Sequence, residues 1–127
     1  MSDADSQIQR DERFPDDEEF YRYISLRTYD PNTEKLMSHA FTDRRDSPGR
    51  CSVNLARMSS PAKTIESLPG YGVAVIMARP IYEESFTIEH TPVADNQAHC
   101  DIVGQFKSRG PRRKLALAAI VLIPPTT

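Results

Sequence analysis

Hydrophobic and polar positions change period several times along the chain, and no single period persists for long. Phe20 to Tyr29 (FYRYISLRTY) is rich in aromatic and β-favouring residues and ends at Asp30-Pro31-Asn32, a turn signal in which proline fixes φ. This segment reads as the first strand. Leu36 to Thr42 reads as a second, with Met37, His39 and Phe41 on one face. After the charged Ser-Pro-Gly loop of residues 43–50, Cys51, Val53 and Leu55 alternate with Ser52, Asn54 and Ala56, the period of a half-buried strand. Ser60-Pro61 then marks a helix start, running to about Leu68, with Gly70 as its stop.

Tyr71 to Ala78 is nearly continuous in apolar residues, as a strand covered on both faces requires. Phe86 and Ile88 alternate with Thr87 and Glu89 in a strand over 85–90, and Asp101 to Phe106 reads as a short strand. Residues 94–99 form a loop or a single helical turn. Residues 111–123 fit both periods: Leu115, Ala118, Ala119 and Leu122 make a helical stripe, while Leu115, Leu117, Ala119, Val121 and Ile123 alternate as a strand does. Composition and Pro111 favour helix at the start of this segment, and β-branched residues weaken it towards the end.

The pattern predicts an α+β fold: one small domain over residues 20–127, with a mixed or antiparallel sheet of about five strands and one or two helices. The length of 127 residues suits one core, and an apolar content of 39% with ten prolines makes that core compact and the surface irregular. Charge divides the chain further. Residues 1–19 carry eight acids against Arg10 and Arg13, whereas the remainder has more basic residues than acids despite the overall charge of −2. Such a segment buries too little apolar surface to offset its ordering entropy, so an acidic flexible tail is expected, disordered at least to Asp11.

Two cysteines, Cys51 and Cys100, are too few for a disulfide framework, and reduced thiols are expected. There is no signal-peptide pattern, and the longest apolar run, Leu115 to Ile123, is about half the roughly 20 residues a membrane span needs. The expectation is a cytoplasmic protein with no membrane partner.

The densest reactive group lies between His90 and Asp101. His90 and His99 are candidate acid, base or metal-ligating residues, and Asp95 or Asp101 is a candidate partner to orient an imidazole. His39 completes a three-histidine set only if the second strand lies beside the fifth. The spacing matches no zinc signature, so no metal and no cofactor are expected; Asp95 and Asn96 are also ordinary turn formers.

A second group, Lys107, Arg109, Arg112, Arg113 and Lys114, surrounds Gly110-Pro111. At a helix N-terminus the macrodipole disfavours each cation by about 0.3–1 kcal/mol, so these charges suit an anionic ligand or an acidic protein segment better than helix stability. Arg44, Arg45 and Arg50 are candidates to extend this basic surface. Nucleic acid is a weaker candidate partner, because no zinc-finger, helix-turn-helix or RNA-binding motif is legible.

Two function classes follow. The first is an interaction or accessory protein that binds a protein partner, a second copy or an anionic ligand through its basic surface. The alternative is a small hydrolase or transferase built on His90 and His99 with an anionic substrate.

Overall fold

The computed structural model describes residues 13–126; the expected disorder up to Asp11 lies outside them. Its centre is a six-stranded antiparallel sheet in the order β6-β7-β4-β1-β5-β8. The strands are β1 (Glu19–Ile24), β4 (Arg50–Leu55), β5 (Gly72–Met77), β6 (Thr87–His90), β7 (His99–Val103) and β8 (Ile120–Ile123), while β2 (Tyr29–Asp30) and β3 (Lys35–Leu36) form a separate hairpin. Three helices complete the α+β domain: α1 (Pro61–Thr64), α2 (Ala78–Glu83) and α3 (Arg109–Ala118). None is long and apolar enough to cross a membrane.

Alternation along the strands gives the sheet two unlike faces. Phe20 and Ile24 of β1, Cys51, Val53 and Leu55 of β4, Ala74 and Ile76 of β5, and Cys100 and Ile102 of β7 form the core with Phe41, Ile81 and Leu115. Arg50, Ser52 and Asn54 of β4 stand on the opposite face, and the register sets Asp101 beside Ser52 and His99 beside Asn54. Residues 13–19 pack onto this domain as well. The Phe14 ring meets Phe20 edge-on at 5.2 Å, and its backbone N–H donates to Tyr82 Oη.

The first expected strand stops at Ile24, because Ser25 and Thr28 close a turn: Thr28 Oγ1 donates to the Ser25 carbonyl and accepts from its N–H. The second shrinks to β3 and a 3-10 turn at Ser38–Ala40 that buries Ala40 against the core. In α1, Ser60 caps as expected and accepts from the Lys63 N–H, yet the helix ends at Thr64. Pro80 stands within α2 rather than ending structure, since the first helical turn has no N–H partner to lose.

Both readings of residues 111–123 occur in succession. Helix α3 buries Leu115 and Ala116, and after Ala119 the chain becomes β8 alongside β5. Gly72 permits that pairing, because a Cβ there would collide with the backbone of Ile123, Pro124 and Pro125.

One feature of the sheet bears on the site. β1 pairs with β5 along its whole length but with β4 only at Phe20–Leu55 and Tyr21–Asn54. Beyond those pairs the Arg22 side chain takes over: its Nη1 donates to the Ser52 carbonyl at 2.9 Å and its Nε to the Ala40 carbonyl at 2.9 Å.

Candidate functional site

The polar face of β4 and β7 carries the most connected group of side chains in the described residues. His99 Nδ1 lies 2.9 Å from the Thr91 carbonyl and 3.0 Å from Thr91 Oγ1. A carbonyl oxygen only accepts, so Nδ1 carries the proton, and in the neutral ring Nε2 is left with its lone pair. That lone pair faces Ser52 Oγ at 3.2 Å. Ser52 therefore donates to His99, and Arg44 Nη1 donates to the same Oγ at 2.6 Å.

Asp101 anchors the group from below. Its side chain is only 4% exposed; Oδ1 accepts from Arg44 at 2.6 Å, and Oδ2 accepts from Arg50 Nη1 and from Thr91 Oγ1, each at 3.2 Å. Burial pushes this carboxyl up, but the Arg44 hydrogen bond and charge, with His99 and Arg50, outweigh burial and hold it below the usual carboxylate range. Oδ1 is also 4.0 Å from His99 Nε2. On the outer side Arg50 bridges to Glu89 at 2.9 Å, a hydrogen bond that keeps its guanidinium more firmly protonated against the opposing effect of burial.

The candidate residues read from sequence are distributed differently. His90 pairs with Cys100 across the β6–β7 ladder, so it shares the core-side register while His99, one residue earlier on β7, occupies the other face. His90 Nε2 donates to the Gln97 carbonyl at 2.8 Å. The loop between them is a tight turn in which Val93 and Asn96 exchange backbone hydrogen bonds, with Asp95 exposed at its tip. His39 sits on the 3-10 turn and donates from Nε2 to the Arg27 carbonyl, and no group of three metal-ligating side chains converges among the described residues.

The basic segment lies at the start of α3. Lys107, Arg109, Arg113 and Lys114 are exposed, and Arg112 is partly covered with its Nε on the Ser108 carbonyl. The cavity beside this helix start contains Glu83 and Glu84 as well as Ser108 and Pro111, and Lys114 lies 3.9 Å from Glu84. Arg44 and Arg50 join the Asp101 network instead.

Ser52 and Thr91 were not marked by sequence spacing. Ser52 is one of three polar residues on an alternating strand, and only the β4–β7 register brings it to His99. Both cysteines are free and buried; burial pushes the Cys51 thiol up and, with the nearby Asp101 charge, pushes Cys100 up to about 12. Neither is an activated nucleophile. Comparison of the chain with protein-family models, with curated proteins and with solved structures found no match in any of the three.

Proposed function

We propose that the chain is a small hydrolase or transferase in which Ser52 is the nucleophile and His99 the general base. The observation that carries this reading is the hydrogen bond from His99 Nδ1 to the Thr91 carbonyl, which turns the Nε2 lone pair toward Ser52 Oγ. Ser52 Oγ attacks an acyl or phosphoryl centre as its proton passes to Nε2. Arg44 stabilises the charge that develops on oxygen, and the imidazolium, near Asp101, returns the proton to the leaving group. Water or a second acceptor then takes the acyl or phosphoryl group from Ser52. Arg44 and Arg50 are shared among Asp46, Glu89 and Asp101, and their remaining guanidinium N–H groups serve as hydrogen-bond donors to substrate oxygens.

The test is labelling with a fluorophosphonate, which forms a stable ester with an activated serine. Mass spectrometry should find the label on Ser52, and His99→Ala should slow labelling by roughly 10²–10⁴-fold, the usual contribution of a general base. A label elsewhere, or a rate indifferent to His99, would sink the proposal.

A second reading, a protein-interaction module, is favoured by strand β8. It is the outermost strand on its side of the sheet, Ile120 and Leu122 are 62% and 45% exposed, and no charged residue occurs from Leu115 to the C-terminus. An apolar edge without charge can pair with a second copy of itself without like-charge repulsion. Sedimentation across a concentration series, with Ile120→Lys as the disrupting variant, decides it: a wild-type protein that stays monomeric throughout rules this reading out. A cytoplasmic location accompanies both readings and is supported by the two free buried thiols.

A further inference from the structure

Arg22 is 92% buried, since its relative exposure is 8%, and its only hydrogen bonds among the described residues run to two neutral carbonyls, those of Ala40 and Ser52. No carboxylate lies within ion-pair reach of it among those residues. The guanidinium rests over the Tyr23 ring, 4.5 Å from its centroid. A buried charge is ordinarily paired, because desolvation without a counter-charge is strongly unfavourable.

The surroundings of Arg22 show where a counter-charge can enter. At the end of β1, beside the turn that follows it, a cavity of about 480 Å³ opens between Arg22, Tyr23, Arg27, His39, Thr42 and Tyr71, and none of its lining residues is acidic. This volume lies within the ~300–1,000 Å³ common for small-molecule sites. The Arg27 side chain has no hydrogen-bond or ion-pair partner among the described residues, and Tyr23 and Tyr71 meet edge-to-face at 5.9 Å as an aromatic wall.

We infer that this cavity binds a small molecule carrying an oxyanion, phosphate or carboxylate. Arg22 and Arg27 supply the counter-charge, and the tyrosine pair receives the less polar part of the ligand. Two guanidiniums offer planar, multidentate donors suited to either oxyanion. The site is distinct from the Ser52 hydroxyl, which projects on the polar face with Asn54; the two meet only through the Ser52 carbonyl. The inference therefore does not depend on Ser52 being a nucleophile.

The experiment is a titration of the full-length protein at constant ionic strength with phenyl phosphate, benzoate, inorganic phosphate and, as the uncharged control, phenol, followed by amide chemical shifts. Phenyl phosphate or benzoate should bind saturably with shifts centred on Tyr23, Thr42 and Tyr71, phenol should not, and Arg27→Ala should weaken binding by about tenfold or more. Arg22→Met should abolish it. If Arg22→Met fails to fold, exposed Arg27 decides the matter alone, because its removal disturbs no hydrogen bond of its side chain. A preference for phenyl phosphate identifies phosphate as the head group, and a preference for benzoate identifies carboxylate. Absence of saturable binding by all three anions, shifts confined to another surface, or affinity unchanged in Arg27→Ala would each overturn the inference.

Discussion

Among the described residues two charged side chains are buried, Arg22 and Asp101, and the fold treats them in opposite ways. Asp101 is closed from above by Arg44 and Arg50 and takes a further hydrogen bond from Thr91, so its charge is neutralised within the chain. Arg22 is met only by carbonyl dipoles and an aromatic face. The contrast separates a charge that holds structure together from one that leaves electrostatic capacity unspent. Strands β4 and β7 set their side chains around the first, whereas the second stands where strand pairing stops.

The largest expected effect comes from breaking the satisfied charge. Asp101→Asn leaves Arg44 and Arg50 without their shared anion and should cost about 3 kcal/mol in urea unfolding, the lower end for a buried pair that loses one partner. Arg22→Met should cost less, about 1–2 kcal/mol, because two carbonyls lose a donor while an uncompensated charge is removed. Equal costs for the two variants would erase the distinction. Acid should discriminate between them next. Asp101 is held below its ordinary pKa in the fold, so its contribution is present above the unfolded value near 3.9 and is lost as pH falls through the folded one. Stability measured down that range should fall more steeply in wild type and Arg22→Met than in Asp101→Asn.

The smallest effect is the most local. Each buried charge has a thiol beside it: Arg22 draws the Cys51 pKa down against the dominant effect of burial, whereas Asp101 adds to burial in pushing Cys100 up. Thiol titration of single-cysteine variants should therefore move in opposite directions, with Cys51 harder to ionise after Arg22→Met and Cys100 easier after Asp101→Asn. Shifts of the same sign would show that the charges do not act on the thiols as the geometry requires.

The elements legible in the sequence were those whose period is set by burial on one face. Cys51, Val53 and Leu55 alternate because their side chains enter the core, and β4 lies where that alternation places it. Residues 36–42 misled because Leu36, Ala40 and Phe41 are buried or half-buried from a short strand and a 3-10 turn, whose spacing over seven residues imitates alternation. Residues 111–123 satisfied two periods because they contain two elements joined at Ala119.

For the site, His99 and Asp101 were conspicuous as reactive types close together, and Arg44 and Arg50 as cations. What the sequence withheld was register. Pairing His90 with Cys100 sends the two histidines to opposite faces, and pairing Ser52 with Asp101 assembles a site from segments about fifty residues apart; neither pairing leaves a local trace. Arg22 showed as one polar residue in a tyrosine-rich strand, with nothing to distinguish a buried guanidinium from an exposed one.

The short pairing between β1 and β4 has a dynamic consequence. The sheet consists of two three-stranded halves, β6-β7-β4 and β1-β5-β8, stitched by two residue pairs and the Arg22 guanidinium. A junction with so few backbone bonds opens more readily than the ladders on either side, so native-state hydrogen exchange should resolve the halves as separate cooperative units. A ligand held by Arg22 touches that junction through the hydrogen bond from Arg22 to the Ser52 carbonyl, so occupancy should appear as slower exchange of the β4 amides around Ser52.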